Sequence, residues 1–390
     1  MIYKTYKDLK VSQLGLGLMR LPVCGERGPI DFGAARDIVR YAYEHGVNYF
    51  DTAYRYHQGE SETFIGKVIK EYPRSSLCLA SKIPGHMMSY RDGRIVGIGY
   101  LTGFDLTTIP DIFEEQLRKC QTGYFDVYML HNLSEGSYDF YTNEELGIVR
   151  YFQRQKEAGR IRYLGFSSHG SAETIERFLK WAGGIFEIVQ IQLNYLDWTI
   201  QNAAAKYEVL TKHGIPVIAM EPVRGGKLAS PGEKAAAALN AARPDSSAAS
   251  WAFRYLQSLP NLFVALSGMS TLAQIEENVG LFSSRYEPMP DSEKAVLRKA
   301  LEAVADMIPC TACRYCTDDC PARLDIPRLI SMYNEANFGS PNIFKTANET
   351  LGEAGRPSAC ISCGVCAKLC PQGIDVPGVL AKFAGAVRDA

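Results

Sequence analysis

The sequence predicts an α/β chain in which a (β/α)8 barrel is followed by a small, mostly α-helical domain. Two observations carry this. Over about the first 290 residues, short apolar runs rich in β-branched and aromatic side chains alternate with amphipathic helical stretches, the pattern of βα units around a parallel sheet. After residue 309 the texture changes, and eight of the eleven cysteines fall in two tight groups.

Eight strands are expected, near Leu14 to Leu18, Tyr49 to Ala53, Leu77 to Ile83, Val127 to Asn132, Ile161 to Ser168, Ile188 to Tyr195, Pro216 to Val223 and Phe263 to Ser270. Helical patterns separate them, such as Asp31 to His45 and Thr271 to Leu281. Eight such units in this length point to a closed TIM-type barrel. A doubly wound sheet competes, but Gly15-Leu16-Gly17-Leu18-Met19-Arg20 lacks the third glycine of a dinucleotide fingerprint and belongs to the first strand region. The barrel is placed at residues 1–285, a connecting helix at 286–308, where Asp291 to Ala305 has a strong helical pattern, and the helical domain at 309–390.

In this 390-residue chain, 42 Lys and Arg stand against 43 Asp and Glu, so no broad field favours nucleic acid or an anionic membrane. No apolar run is long enough to span a bilayer, and the first ten residues are polar; a cytoplasmic protein is expected. Cys24, Cys78 and Cys120 lie among apolar neighbours and read as buried small hydrophobes.

The clustered cysteines are another matter. Cys310-x2-Cys313-x2-Cys316-x3-Cys320-Pro321 is repeated as Cys360-x2-Cys363-x2-Cys366-x3-Cys370-Pro371, and Leu324-Asp325-Ile326-Pro327 recurs as Ile374-Asp375-Val376-Pro377. Three thiolates two residues apart can wrap one face of an iron–sulfur cube, while the fourth, before proline, is carried toward the other cube. Two [4Fe-4S] clusters with crossed ligands are therefore expected. One takes Cys310, Cys313, Cys316 and Cys370; the other takes Cys360, Cys363, Cys366 and Cys320. Zinc also uses Cys-x2-Cys pairs, yet it does not explain the third cysteine or the Cys-Pro ending. The spacer after Asp325 and Pro327 reads as helix, and residues 309–390 resemble the helical ferredoxin-like domains appended to larger redox enzymes.

In a barrel, polar residues at strand C-termini face the active site. Strand two ends in Asp51, with Tyr56 just beyond; strand three ends in Lys82 and strand four in His131-Asn132. Taken singly, Asp51 fits a helix cap, Lys82 a solvated strand end and His131 a satisfied polar residue. Together they make a proton-transfer group. A lysine ammonium brings a nearby tyrosine from its ordinary pKa of about 10 toward neutrality. Tyr56 then donates a proton to a carbonyl oxygen, Asp51 holds Lys82, and His131 orients the carbonyl.

Asp51-Thr-Ala-x-x-Tyr56, Lys82 and His131 resemble the tetrad of the aldo/keto reductase family. The likeness runs from residue 1 to about 285 and includes Gly59-Glu60-Ser61-Glu62, Gly165-Phe166-Ser167-Ser168, Gln190 and Gln274-x-x-Glu277-Asn278. It implies reduction of a small-molecule carbonyl by NADPH or NADH bound without a Rossmann motif. The resemblance places the nicotinamide amide on Ser167, Ser168 and Gln190, beside Gly17, Met19, Asp51 and Met220. The adenosine phosphates fall to the loop from Ser267 through Ser270 to Thr271 and to Gln274, Glu277 and Asn278 on the following helix. Departures from the family pattern are Met220 where an aromatic residue usually stacks, Ser168 where Asn is usual, and Gly268 and Gln274 where relatives carry basic residues. Arg224 and Lys227 remain as cations for the phosphate end, or as solvated loop charges.

Residues 84–107 read as a lid over the barrel mouth or as an insertion shielding its rim; with Tyr138, Phe140 and Tyr141 they suggest a pocket for an aromatic or cyclic carbonyl. Hydride carries two electrons and each cluster passes one. Three readings are therefore open: a nicotinamide-dependent carbonyl reductase, a reductase whose clusters are fed by an external ferredoxin or other electron carrier, and a non-catalytic nucleotide-binding redox sensor.

Overall fold

The computed structural model describes residues 1–25, 28–91, 93–98, 101, 108–283, 288–302, 308–338, 347 and 351–388. Its strands are β1 Tyr3–Tyr6, β2 Leu9–Ser12, β3 Leu14–Gly17, β4 Tyr49–Asp51, β5 Cys78–Ile83, β6 Met88–Arg91, β7 Arg94–Gly97, β8 Phe125–Leu133, β9 Ile161–Ser168, β10 Ile188–Gln192, β11 Val217–Met220 and β12 Leu262–Ser267. The helices that matter below are α1 Phe32–Glu44, α2 Glu60–Val68, α3 Ile109–Lys119, α4 Tyr138–Thr142, α5 Ala172–Ala182, α6 Glu233–Ala242, α7 Leu272–Ser283, α8 Asp291–Glu302, α9 Ile326–Phe338 and α10 Val376–Arg388.

Eight strands close into a parallel barrel in the order β3-β4-β5-β8-β9-β10-β11-β12 and back to β3, the fold the sequence predicts. Such strands are covered on both faces, which is why β5 and β10 are buried at every residue. Helices pack outside through apolar stripes, as α1 does through Ala35, Ile38, Val39 and Ala42. Side chains start them: Asp31 Oδ1 accepts from Ala34 N at 3.1 Å for α1, Thr108 Oγ1 from Asp111 N at 3.2 Å for α3, and Ser171 Oγ from Thr174 N at 3.1 Å for α5.

The sequence reading did not include the antiparallel hairpin β1-β2. Its Leu9 and Val11 join Tyr49, Val127, Tyr163, Ile188 and Phe263, residues at or near strand beginnings, in one buried cluster. The hairpin thus seals the N-terminal end of the barrel. Within 84–107, β6 and β7 form a second hairpin, and the lid reading at residues 92, 99–100 and 102–107 lies outside the described residues.

The chain forms two compact units that do not divide at one point: Met1–Pro222 with Phe253–Pro288, and Val223–Ala252 with Met289–Ala390. Residues 223–252, placed in the barrel by the sequence, therefore cluster with the C-terminal unit. There α6 and α8 pack together, with Arg243 Nε donating to Glu293 Oε1 at 2.6 Å. The expected continuation of α8 through Ala305 falls on residues 303–307, outside those described. The duplicated sequence yields duplicated structure: α9 and α10 begin fifty residues apart, each after an Asp, and Asp375 Oδ1 accepts from Gly378 N at 3.2 Å. Leu324, Ile326, Leu329, Ile330, Ile374, Val376, Leu380 and Phe383 form this unit's core.

Gly66 lets α2 meet the end of α3. A Cβ there would sit 2.2 Å from Lys119 O and 2.7 Å from the Cys120 carbonyl carbon, both rigid backbone. Gly66→Ala is expected to destabilise the barrel by about 1–3 kcal/mol in urea unfolding.

Candidate active site and cysteine centres

A period of two carries side chains from the barrel interior to its C-terminal rim. Tyr49, Ala80, Met129, Tyr163, Ile188 and Ile218 belong to the buried cluster, and two or four residues on along the same face come Asp51, Lys82, His131, Ser167, Gln190 and Met220. Closure of the barrel brings these ends to one mouth. A register shift in β8 between Leu130 and Leu133, with Asn132 at φ 57°, re-aims the strand around His131.

Asp51 and Lys82 are 1% and 0% exposed. Lys82 Nζ donates to Asp51 Oδ1 and, at 3.0 Å, to the carbonyl of Thr52. Burial draws the ammonium below its usual pKa, against the pull of the Asp51 carboxylate, and burial pushes Asp51 up against the pull of Lys82. The same Nζ lies 5.2 Å from the Tyr56 ring centre, and the Tyr56 and His131 rings are 5.9 Å apart at 84°. The structure thus gathers all four side chains. Burial, the largest cause, together with the nearby Lys82 ammonium, holds His131 well below the ordinary histidine range, so it is a neutral imidazole at pH 7. Its carbonyl accepts from Tyr141 Oη at 2.6 Å and contacts His86 Nδ1 at 3.0 Å.

Behind the lysine lies a buried network that sequence reasoning missed. Gln116 Nε2 donates to Lys82 O at 3.0 Å and to Glu62 Oε1 at 2.6 Å; Ser81 Oγ also donates to Glu62 Oε1 at 2.6 Å, and Tyr128 Oη to Gln116 Oε1 at 2.6 Å. This fixes the end of β5 against α2 and α3.

The nicotinamide expectation can be tested on hydrogen-bonding capacity. Gln190 Nε2 contacts Met220 Sδ at 3.4 Å, while its Oε1 is buried without a partner. Ser167 Oγ accepts from Asn132 N at 2.8 Å, leaving its hydroxyl proton to give. One open acceptor and one donor match the two halves of a carboxamide. Ser168 differs: it donates to Leu133 O at 2.7 Å and accepts from Gly170 N at 3.1 Å, a structural use.

Gly17 ends β3 in register with Asp51, and Met19 follows on a short 3-10 turn. Ser270 Oγ donates to Arg20 O at 2.6 Å and Ser270 N to Gln274 Oε1 at 2.8 Å, while Thr271 Oγ1 accepts from Gln274 N at 3.3 Å. Ser267 accepts from Asn278 at 3.4 Å, and Glu277 lies exposed on α7. Arg20 packs against Gly268 in this loop and pairs with Glu221 at 3.3 Å. Arg224 and Lys227, nominated for the phosphate end, are turned to other partners: Arg224 Nη2 donates to Pro309 O at 3.2 Å and Lys227 Nζ to Ser331 Oγ at 2.8 Å, both within the C-terminal unit.

In that unit the cysteines line two hollows. Cys310, Cys313, Cys316 and Cys370 line one; Cys320, Cys360, Cys363 and Cys366 line the other. These are the two crossed sets. Their other walls are mainly apolar, including Pro327, Ile330 and Ile374 in the first and Leu324, Ile326 and Leu380 in the second. Burial pushes the Cys366 thiol up to about 11 and raises that of Cys316 as well. Cys78 and Cys120 are buried as expected, but Cys24 is exposed, a correction: it sits in the surface turn closed by the Val23–Ile30 bridge.

Burial, its largest cause, takes His86 down to about 4 from 6.5. A histidine held neutral in the fold contributes fully above pH 6.5 and loses that contribution as pH falls through its folded value. Stability should therefore decline from pH 6.5 toward 4, His86 accounting for at most about 3 kcal/mol. Urea unfolding across this range should show a shallower decline for His86→Asn than for the wild type.

Residues 13–299 match the model of the aldo/keto reductase family, and residues 309–374 that of the 4Fe-4S dicluster domain. L-galactose dehydrogenase of Arabidopsis thaliana is 27% identical over 70% of this chain and 84% of its own length. The NADH-specific methylglyoxal reductase of Escherichia coli is 24% identical over 76% of this chain and 97% of its own. Among solved structures, the holo form of aldo-keto reductase AKR11C1 from Bacillus halodurans superposes with a TM-score of 0.60 at 25% identity, covering 77% of this chain and 96% of that one. The chain belongs to the aldo/keto reductase family of oxidoreductases and carries an iron–sulfur domain after its barrel.

Proposed function

We propose that this protein reduces an aldehyde or ketone to an alcohol with NADPH or NADH, and that its C-terminal unit holds two [4Fe-4S] clusters. The observation that carries the first part is the buried Asp51–Lys82 pair with the Tyr56 ring centre 5.2 Å from the ammonium and the His131 ring 5.9 Å from that of Tyr56. When bound, the nicotinamide supplies hydride to the carbonyl carbon.

The chain's own residues do the rest. Ser167 and Gln190 hold the carboxamide, one giving and one accepting a hydrogen bond. Gly17, Met19 and Met220 border the ring, and Ser267, Ser270, Thr271, Gln274, Glu277 and Asn278 serve the adenosine end at the start of α7. The neutral His131 imidazole orients the carbonyl oxygen, and Tyr56 donates its phenolic proton to that oxygen. Lys82 stabilises the phenolate left behind, and Asp51 keeps the lysine in place. Solvent returns the proton to Tyr56 after the alcohol leaves.

Support for two clusters comes from the two cysteine-lined hollows, each with four sulfurs. Free thiols throughout the described residues suit a reducing compartment, the cytoplasm. A second reading has its own observation. Cys363 is exposed and the neighbouring Ile361 is 66% exposed, the kind of surface at which an external ferredoxin or other one-electron carrier could reach a cluster.

Tyr56→Phe removes the proton and keeps the ring. Carbonyl reduction should fall by about 10²–10⁴-fold with nicotinamide affinity, read by quenching of protein fluorescence, unchanged. Undiminished turnover would reject the mechanism.

A further inference from the structure

The fifty-residue repeat gives the two cysteine sets matching backbones. Ala312 and Ser362 both adopt positive φ, 53° and 54°, and each presents its N–H to a cysteine sulfur, Ala312 to Cys310 and Ser362 to Cys360, at 3.4 Å in both cases. Hydrogen bonding to sulfur, one lever on a cluster's potential, is therefore alike at these positions. Charge is not alike.

Segment 223–227 lies in the same compact unit as the cysteines and contributes two cations to one set only. The Arg224 guanidinium reaches the carbonyl of Pro309, the residue before Cys310, and the Lys227 ammonium reaches Ser331, next to Ile330 in the wall of the first hollow. Both cations therefore hold chain that adjoins the first hollow. Arg224 is 2% exposed and its guanidinium is hydrogen-bonded, so its charge is held in place and little screened. Pro309 and Ser331 adjoin residues that line the first hollow and none that line the second.

We propose that Arg224 and Lys227 are potential-setting residues, selectively raising the reduction potential of the cluster held by Cys310, Cys313, Cys316 and Cys370. Reduction adds one negative charge to a cluster, and a fixed cation nearby stabilises the reduced form more than the oxidised one. The inference rests on the reading that the unit holds two clusters.

The test is a redox titration of anaerobically purified, full-length holoprotein followed by electron paramagnetic resonance, with iron content measured in parallel. Arg224→Gln retains a neutral donor for the Pro309 carbonyl, and Lys227→Gln retains one for Ser331. In each variant one midpoint should become more negative by roughly the equivalent of a tenfold change, about 59 mV for one electron, while the other stays. The midpoint that moves should be the one abolished by Cys313→Ser. If Arg224→Gln loses iron, Lys227→Gln decides alone, since the ammonium donates to the Ser331 hydroxyl, which the glutamine amide can also reach as a donor. Two unmoved midpoints, or two that shift equally, in protein with about eight irons would overturn the role of the cations. About four irons in the wild type would instead overturn the two-cluster reading.

Discussion

A lysine with no exposed surface costs several kcal/mol to desolvate, and the barrel tolerates Lys82 because the Asp51 carboxylate and the Thr52 carbonyl both receive its protons. That pairing constrains much around it. The ammonium must stay where Asp51 holds it, so the end of β5 is pinned, through Gln116, to Glu62 on α2 and Tyr128 on β8. Tyr56 can then sit against a charge that does not wander. A buried ion pair of this kind adds little net stability over an apolar pair of the same shape; its value lies in fixing a charge beside a phenol.

The strand ends explain how much of the site was legible. Asp51, Lys82 and His131 each lie on the face of a residue in the barrel's interior cluster, and a period of two is a local property that sequence shows directly. The strand limits were less legible. The sixth strand reads on to Tyr195, but it stops at Gln192 because Asn194 turns the chain, its Oδ1 accepting from Leu196 N at 3.0 Å and Asp197 N at 2.8 Å. The seventh stops at Met220, where Glu221 takes φ 56°. Gln116 and Tyr128 gave no signal, since a polar residue on an amphipathic helix and a tyrosine in an apolar strand both read as ordinary packing. Only long-range burial makes them partners.

The cysteine centres were legible for a different reason. A three-residue spacing fixes which three sulfurs share a face, and the Cys-Pro ending of the two-cluster motif points the fourth to the other set, as the two hollows have it. That residues 223–252 cluster with the C-terminal unit was not visible, because βα units look alike in sequence whichever core their helices join. Arg224 and Lys227 hydrogen-bond Pro309 and Ser331 of that unit, and Arg20 packs beside Gly268 in the Ser267–Thr271 loop.

What makes Tyr56 different from any other tyrosine is the charge beside it, and that can be read without substrate. Protein labelled with ¹³C at the tyrosine ring carbon bearing oxygen, titrated by NMR with Tyr56→Phe for assignment, reports when this phenol ionises. Stabilisation by Lys82 requires ionisation below the ordinary tyrosine value of about 10, moving upward in Lys82→Met. A Tyr56 signal titrating at or above that value, and indifferent to the lysine, would contradict the proton-transfer role.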